Sequence, residues 1–332
     1  MFRKDPLQII CFKTYGTKNH LYMRGRAIED EDIDLKHKSW FNILRNSWKR
    51  FETDEIKDVS LTLSIDHEHT YALKTDLEGY YLLDETAAFK ITDLDDEGWL
   101  HYTISFAKKL MHEPIQHNNS FHGKMLVPAQ NVSFGVISDI DDTILHTGVT
   151  SRLKWKVVVN TFFKTPEKRL ALEGSSEFYR SLHLGNSLKE ANPIFYVSNS
   201  PWNLYRYLEY FLTSNDFPDG PILLRDFRTP FDRTPKSEVE HKYHEIRNIL
   251  KSYPHLNFIL IGDCGERDAD IYLEIVNDFP NRISAIYLRS VEHQRKMRRI
   301  EQMFKDFNEI PVLIIKDTAT GSHHAKTLGF IS

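Results

Sequence analysis

The sequence predicts two domains: a small, mainly-β, sandwich-like unit over residues 1–130, then an α/β unit over residues 131–332 built on a parallel sheet. Three observations predict it. The chain has 332 residues, beyond the roughly 100–200 that one domain usually takes. Up to about residue 130 the apolar residues alternate with a period of two, as in strands with one buried face. Beyond that point, near-continuous apolar runs alternate with amphipathic helices, as in a parallel sheet covered on both faces.

In the first domain the alternating runs are Gln8–Tyr15, Leu21–Ile28, Val59–Ile65, Tyr71–Lys74, Tyr80–Leu83 and Leu100–Ala107. Turns such as Asp76-Leu-Glu-Gly79 and Asp95-Asp-Glu-Gly98 separate them, because Asp and Gly favour tight reversals. A helix is expected over Ser39–Phe51, where Trp40, Leu44, Trp48 and Phe51 recur at helical spacing. In the second domain the expected strands are Phe134–Ile137, Ile194–Val197, Ile222–Leu224, Phe258–Ile261, Ile283–Leu288 and Val312–Ile315. The expected helices are Pro201–Thr213, Lys236–Tyr253, Asp268–Phe279 and His293–Phe307.

Composition narrows the function classes. With 41% hydrophobic and 27% charged residues, the chain is not of the disordered or fibrous kind. A formal charge of -4 argues against nucleic-acid binding through bulk positive field. Cys11 and Cys264 are too few for a disulfide framework. The apolar run Leu7–Phe12 is shorter than a secretory core, and no stretch reaches the roughly 20 apolar residues of a membrane span. The expectation is a soluble, cytoplasmic protein.

Three expected strands end in polar residues. Phe134-Gly-Val-Ile-Ser138 runs into Asp139-Ile-Asp-Asp-Thr143, Ile194-Phe-Tyr-Val197 into Ser198-Asn-Ser200, and Phe258-Ile-Leu-Ile261 into Gly262-Asp263, with Asp268 five positions on. Ligands of open parallel sheets sit at the carboxyl ends of strands. There Asp139, Asp141 and Asp263 would converge, and carboxylates so close stay ionised only beside a cation. Oxygen donors suit a hard cation, and Mg2+ fits when a phosphate supplies further ligands. Lys242 would add positive charge, with Ser198 and Asn199 donating to a phosphoryl dianion. Asp139 can attack phosphorus while Asp141, two residues on, serves the leaving oxygen as general acid and then the hydrolytic water as base. Thr143 is placed to hold Asp141 across the turn.

In order, Asp139-Ile-Asp-Asp-Thr143, Ser198, Lys242 and Gly262-Asp263 with Asp268 resemble the four motifs of the haloacid dehalogenase-like phosphohydrolases. The longer stretches Phe134-Gly-Val-Ile-Ser-Asp-Ile-Asp-Asp-Thr-Ile-Leu-His-Thr-Gly-Val149, Tyr196-Val-Ser-Asn-Ser-Pro-Trp202 and Ile261-Gly-Asp-Cys-Gly-Glu-Arg-Asp268 resemble the actin-patch-type phosphatidate phosphatase catalytic family. The resemblance covers residues 130–332 well and the first 130 loosely. It implies a Rossmannoid parallel-sheet domain and Mg2+-dependent removal of phosphate from phosphatidate to leave diacylglycerol. For the residues it implies Asp139 as nucleophile and metal ligand, Asp141 as acid/base and backbone ligand, and Asp263 as metal ligand. Ser198 and Lys242 become phosphoryl binders, and Asp268 an orienting residue or a ligand through water. Cys264 departs from the family, where serine is more usual.

Other motifs carry less. Asp93-Leu-Asp-Asp-Glu97 lacks both the threonine and the preceding strand and reads as a surface turn. Asp66-His-Glu-His69 reads as a hairpin loop. Gly321-Ser-His-His-Ala-Lys-Thr327 lacks the glycine before the lysine that a phosphate loop needs; it reads as a C-terminal helix with His323 and His324 on its surface. Asp139 to Ser198 spans 59 positions and Ser198 to Lys242 spans 44, too few for a large cap beyond the sheet's own helices. An open site admits a phospholipid. The basic, aromatic segment Ser151–Lys168 is a candidate flap, in one reading a peripheral membrane contact. The alternatives are a phosphatase of a soluble metabolite or phosphoprotein and, from another class, a non-catalytic adaptor with a silenced phosphatase-like domain, against which the intact charged motifs argue.

Overall fold

The structure is a computed structural model and describes residues 6–29, 56–87, 91, 93–107, 114–141, 143–144, 172–225 and 240–332. The helix expected at Ser39–Phe51 and the flap at Ser151–Lys168 lie outside the described residues. The chain divides into two compact units, residues 1–127 and 128–332.

Among the described residues, the first unit holds two sheets. β1 (Leu7–Cys11), β3 (His20–Glu29) and β6 (Tyr80–Thr86) form an antiparallel sheet in the order β1-β3-β6. β2 (Thr14–Tyr15), β4 (Ser60–Ser64), β5 (Thr70–Lys74), β7 (Trp99–Phe106) and β8 (Phe121–Leu126) form a five-stranded one in the order β2-β8-β7-β4-β5. The inward residues of both sheets, among them Ile9, Leu21, Met23, Leu83, Leu63, Tyr102 and Met125, share one core. Period-two burial is clearest in β3, where Leu21, Met23, Gly25 and Ala27 are buried and their neighbours are not.

The run expected as one strand, Gln8–Tyr15, is two. The chain breaks at Phe12–Lys13 and passes from the first sheet to the second, where Thr14 and Tyr15 pair in parallel with Met125 and Leu126. A strand that changes sheets at a bend keeps its alternation, so the pattern does not reveal the break. β8 was not expected at all, because Gly123 and Lys124 interrupt its apolar rhythm.

The second unit is a mixed α/β domain. β9 (Gly135–Asp139), β10 (Ile194–Pro201), β11 (Ile222–Arg225), β12 (Phe258–Asp263), β13 (Ile283–Arg289) and β14 (Val312–Ile315) form a six-stranded sheet in which every pairing is parallel. The order is β11-β10-β9-β12-β13-β14. The connections run one way from β9 and the other way from β12. Their carboxyl ends therefore flank a topological switch point, where the diverging loops leave a crevice.

Among the described residues, the α-helices of the second unit are α1 (Ser175–Leu184), α2 (Tyr205–Ser214), α3 (His241–Ser252), α4 (Asp268–Asp278), α5 (Gln294–Met303) and α6 (Thr318–Thr327). α1 escaped the sequence reading; it starts behind a left-handed Gly174 and opens on two serines. α6 is the expected C-terminal helix, capped by Asp317 accepting from the Thr320 amide. His323 is exposed as expected, but His324 is half-buried, its ring in edge contact with Tyr287 and its Nδ1 3.1 Å from the Tyr287 hydroxyl.

Two polar anchors set where the central strands begin. Arg282 Nη2 donates to the carbonyls of Leu250, Tyr253 and Leu256, closing the end of α3 and the loop into β12. Fully buried Asn192 accepts from the amides of Ser133 and Phe134 at 3.1 and 3.4 Å and donates to the Leu182 carbonyl at 3.0 Å. Replacing Asn192 by Ala strands these backbone groups, and the expected cost is at least about 1–3 kcal/mol, measurable as a lower urea midpoint.

Candidate active site

Ionised side chains are almost never fully buried unless paired. Among the described residues, the buried charged side chains are Asp139, Asp141, Asp263, Asp268 and Lys242, and all five belong to the carboxyl edge of the parallel sheet or the helix starts beside it.

Asp139 closes β9 and Asp263 closes β12. Asp268 opens α4, where a carboxylate favours the positive end of the helix dipole. Lys242 sits in the first turn of α3, where the dipole disfavours a cation, yet it is buried. Three carboxylates offset this. Lys242 Nζ lies 2.7 Å from Asp139 Oδ1, 2.6 Å from Asp268 Oδ1 and 3.1 Å from Glu266 Oε2. Asp268 Oδ2 accepts from the Asp263 amide at 3.1 Å, and Asp263 Oδ1 accepts from the amides of Gly265 and Glu266. The loop between Asp263 and Asp268 is thus folded around their two carboxylates.

Asp141 is held separately. Its Oδ2 accepts from Ser198 Oγ at 2.7 Å and from Ser200 Oγ at 3.4 Å, while Ser198 Oγ also accepts from the Ser200 amide. β10 runs past the expected end at Val197 to Pro201, with a register shift against β11 after Ser198. Strand alternation puts Ser198 and Ser200 on one side and turns Asn199, which is exposed, the other way. Thr143 Oγ1 donates to Asp139 Oδ2 at 3.2 Å. It therefore steadies Asp139, not Asp141 as the turn spacing suggested. Behind β9, Ser138 Oγ donates to the Asp139 carbonyl and shares a 2.6 Å hydrogen bond with the Tyr179 hydroxyl of α1.

Burial pushes the Asp139 carboxyl well above its ordinary range; Lys242 pulls it back, and Asp268, Asp141 and Glu266 push it further up. Burial opposes the charge on Lys242, yet Asp139, Asp268 and Glu266 hold its ammonium well above the usual lysine range. Among the described residues, one buried ammonium is thus set among four buried aspartates and a half-buried glutamate. Excess negative charge in low dielectric calls for a further cation. Carboxylate oxygens of Asp139, Asp263 and Asp268 all lie within 4.8 Å of one another, an all-oxygen donor set that fits a hard divalent ion. The Asp141 side chain is not one of this trio.

The sequence reading brought Asp139, Asp141, Thr143, Ser198, Lys242, Asp263 and Asp268 forward, and all lie in this region; Asn199, also brought forward, is exposed between Ser198 and Ser200. It missed Glu266 and Ser200. Ser200 was findable two residues after Ser198, but nothing in the local pattern marks Glu266. Lys242 carried a clearer signal than its position in the motif order, since it begins the buried stripe 242, 246, 249 and 250 of α3.

The comparisons with known proteins bear on this edge. Residues 134–290 match the family model described as the catalytic domain of phosphatidate phosphatase APP1. Phosphatidate phosphatase APP1 of Saccharomyces cerevisiae is 40% identical over 166 residues, 49% of this chain and 27% of its own length. An uncharacterized protein of Schizosaccharomyces pombe is 29% identical over 225 residues, 67% of this chain and 34% of its own. The chain thus spans about a third or less of the curated relatives it matches. A solved carbohydrate esterase structure matches 92% of this chain and 99% of its own at 9% identity with a TM-score of 0.24, too low to bear on fold or activity. By sequence, the second unit resembles a phosphatase-type catalytic domain. Residues 134–290 are similar to the phosphatidate phosphatase APP1 catalytic-domain family.

Two predictions follow from the packing. A Cβ on Gly262 would lie 2.6 Å from Asp268 Oδ2 and 2.8 Å from the Tyr272 hydroxyl. Gly262→Ala is therefore expected to cost about 1–3 kcal/mol and to displace Asp268, so that any Mg2+-induced rise in thermal midpoint shown by the wild type is reduced or lost. The Cys264 thiol is 1% exposed, and burial first, then Asp263 and Asp268, pushes it up to about 12. At pH 8 it stays protonated, and a thiol reagent is expected to label it only after denaturation; rapid labelling of the native protein at Cys264 would contradict this packing.

Proposed function

We propose that the protein is a Mg2+-dependent phosphomonoesterase of the haloacid dehalogenase-like class that converts phosphatidate to diacylglycerol through an aspartyl-phosphate. The observation that carries this reading is the convergence of the buried Asp139, Asp263 and Asp268 oxygens beside Lys242. The parallel strand order and the identity to a phosphatidate phosphatase support it.

Asp139 is the nucleophile. Lys242 contacts its Oδ1 and Thr143 donates to its Oδ2, which fixes the carboxylate plane before substrate arrives. Its oxygen forms the bond to phosphorus as the ester P–O bond breaks, and protonated Asp141 gives its proton to the departing alcohol oxygen. Ser198 and Ser200 orient Asp141 by donating to Oδ2. In the second step water attacks phosphorus, Asp141 takes its proton, and the bond to Asp139 breaks to release inorganic phosphate.

Asp139, Asp263 and Asp268 would hold Mg2+, which when bound offsets the negative charge of the phosphoryl oxygens. Lys242 faces the same group and restrains Asp139 and Asp268 between turnovers.

The test is phosphate release from an aryl phosphate and from phosphatidate, with Mg2+ and with chelator. Chelation is expected to stop turnover and Asp139→Asn to abolish it. Asp141→Asn should lower it by about 100- to 10,000-fold, the usual worth of a positioned acid/base. Undiminished turnover in either variant overturns the assigned roles. Hydrolysis of aryl phosphate but not phosphatidate would keep the phosphatase and move its substrate to a soluble or protein phosphate.

A further inference from the structure

A basic helix is fastened to the loop that carries the site. From His293 to Ile300 the chain reads HQRKMRRI, with four Arg or Lys residues and no carboxylate. Ile300 of α5 is buried and Met297 half-buried, so that side of the helix faces inward. Two of the four cations serve as fasteners. Lys296 Nζ donates to the Gly265 carbonyl, and Arg299 makes a two-pronged pair with Asp270 at 2.8 and 2.7 Å. Gly265 lies between Asp263 and Asp268, and Asp270 is in the first turn of α4, so α5 is held directly beside the buried carboxylates.

The other two cations point outward. Arg295 and Arg298, one turn apart, are exposed and have no ion-pair partner among the described residues. Gln294 and Gln302 accompany them, and Lys305 is exposed just beyond the helix. Glu301, one turn after Arg298, is exposed on the same side of the helix, while Glu292 and Asp306 are exposed before and beyond it. Phe304 and Phe307 follow, half-buried and in edge contact. In a chain of net charge -4 this is local positive charge, not the domain-wide basic field of a nucleic-acid binder.

We propose that the Arg295–Arg298 face of α5 docks the second unit on an anionic lipid surface, next to the site. The proposal rests on the phosphatidate reading, which puts the substrate in a bilayer. It is distinct from the Ser151–Lys168 segment, which lies outside the described residues. Charge complementarity selects the partner: basic side chains at an anionic bilayer gain enough to change partition severalfold each, and the effect vanishes within a Debye length.

The experiment is sedimentation of the full chain with vesicles of equal parts phosphatidylcholine and phosphatidylglycerol, an anionic lipid that lacks the phosphomonoester. Phosphatidylcholine vesicles are the control. Wild type is expected to bind the anionic vesicles at about 0.1 M salt and to leave them at about 0.5 M. Arg295→Ala with Arg298→Ala should lower the partition coefficient about fivefold per arginine and about 30-fold for the pair, with an unchanged thermal midpoint. Arg295→Lys with Arg298→Lys should retain binding. Wild type that ignores anionic vesicles, or an Ala pair that binds as wild type does, overturns the proposal; so does a pair that loses only binding to a DNA duplex. Aryl phosphate turnover by wild type, measured in parallel, reads the site alone, so failure of the phosphatase reading stays separable from failure of the docking surface.

Discussion

Four aspartates and a lysine are withdrawn from water at one edge of a sheet, and much of the second unit consists of what makes that withdrawal tolerable. A buried carboxylate is costly alone and tolerable when paired and hydrogen-bonded. Lys242 pairs with Asp139 and Asp268, the Asp263–Asp268 loop turns its amides onto Asp263, and two serines donate to Asp141. Among the described residues, Lys242 is the one buried ammonium beside these carboxylates. Buried, strongly coupled ionisable groups of this kind cluster at functional sites.

The topology explains why this can happen at one place. Parallel strands all present their carboxyl ends at the same edge, and the reversal of connection between β9 and β12 opens that edge where Asp139 and Asp263 stand side by side. The helices that follow bring their amino ends back to the same edge, which suits Asp268 and leaves Lys242 dependent on its partners. Gly262 supplies the remaining condition, because the Asp268 carboxylate and the Tyr272 hydroxyl occupy the space any larger side chain would need.

Similarity to the phosphatase family and the buried geometry support each other without duplication. The identity covers residue types along the chain; the geometry shows two separately supported carboxylates, Asp139 clamped by Lys242 and Thr143 and Asp141 by Ser198 and Ser200. Distinct supports of this kind let two neighbouring aspartates perform different chemistry. α5 adds a different scale: half of its cations hold the loop and the start of α4, and the others face outward.

The sequence by itself determined the alternation of strands, the run of apolar segments ending in Asp139, Ser198 and Asp263, and the order of the motifs, because these depend on local periodicity and on residue type at strand ends. It could not show that Gln8–Tyr15 changes sheets, since a bend preserves alternation, nor that α1 exists behind a glycine and two serines. The turn itself lets Thr143 serve Asp139. Tertiary structure alone decided that Glu266 joins the Lys242 cluster, and that Asp268 stands with Asp139 and Asp263 while Ser198 and Ser200 hold Asp141. Those are contacts between segments as much as 129 positions apart, from Asp139 to Asp268; chain spacing specifies which groups are available, but only the packed sheet and helices fix the few ångströms on which electrostatic coupling depends.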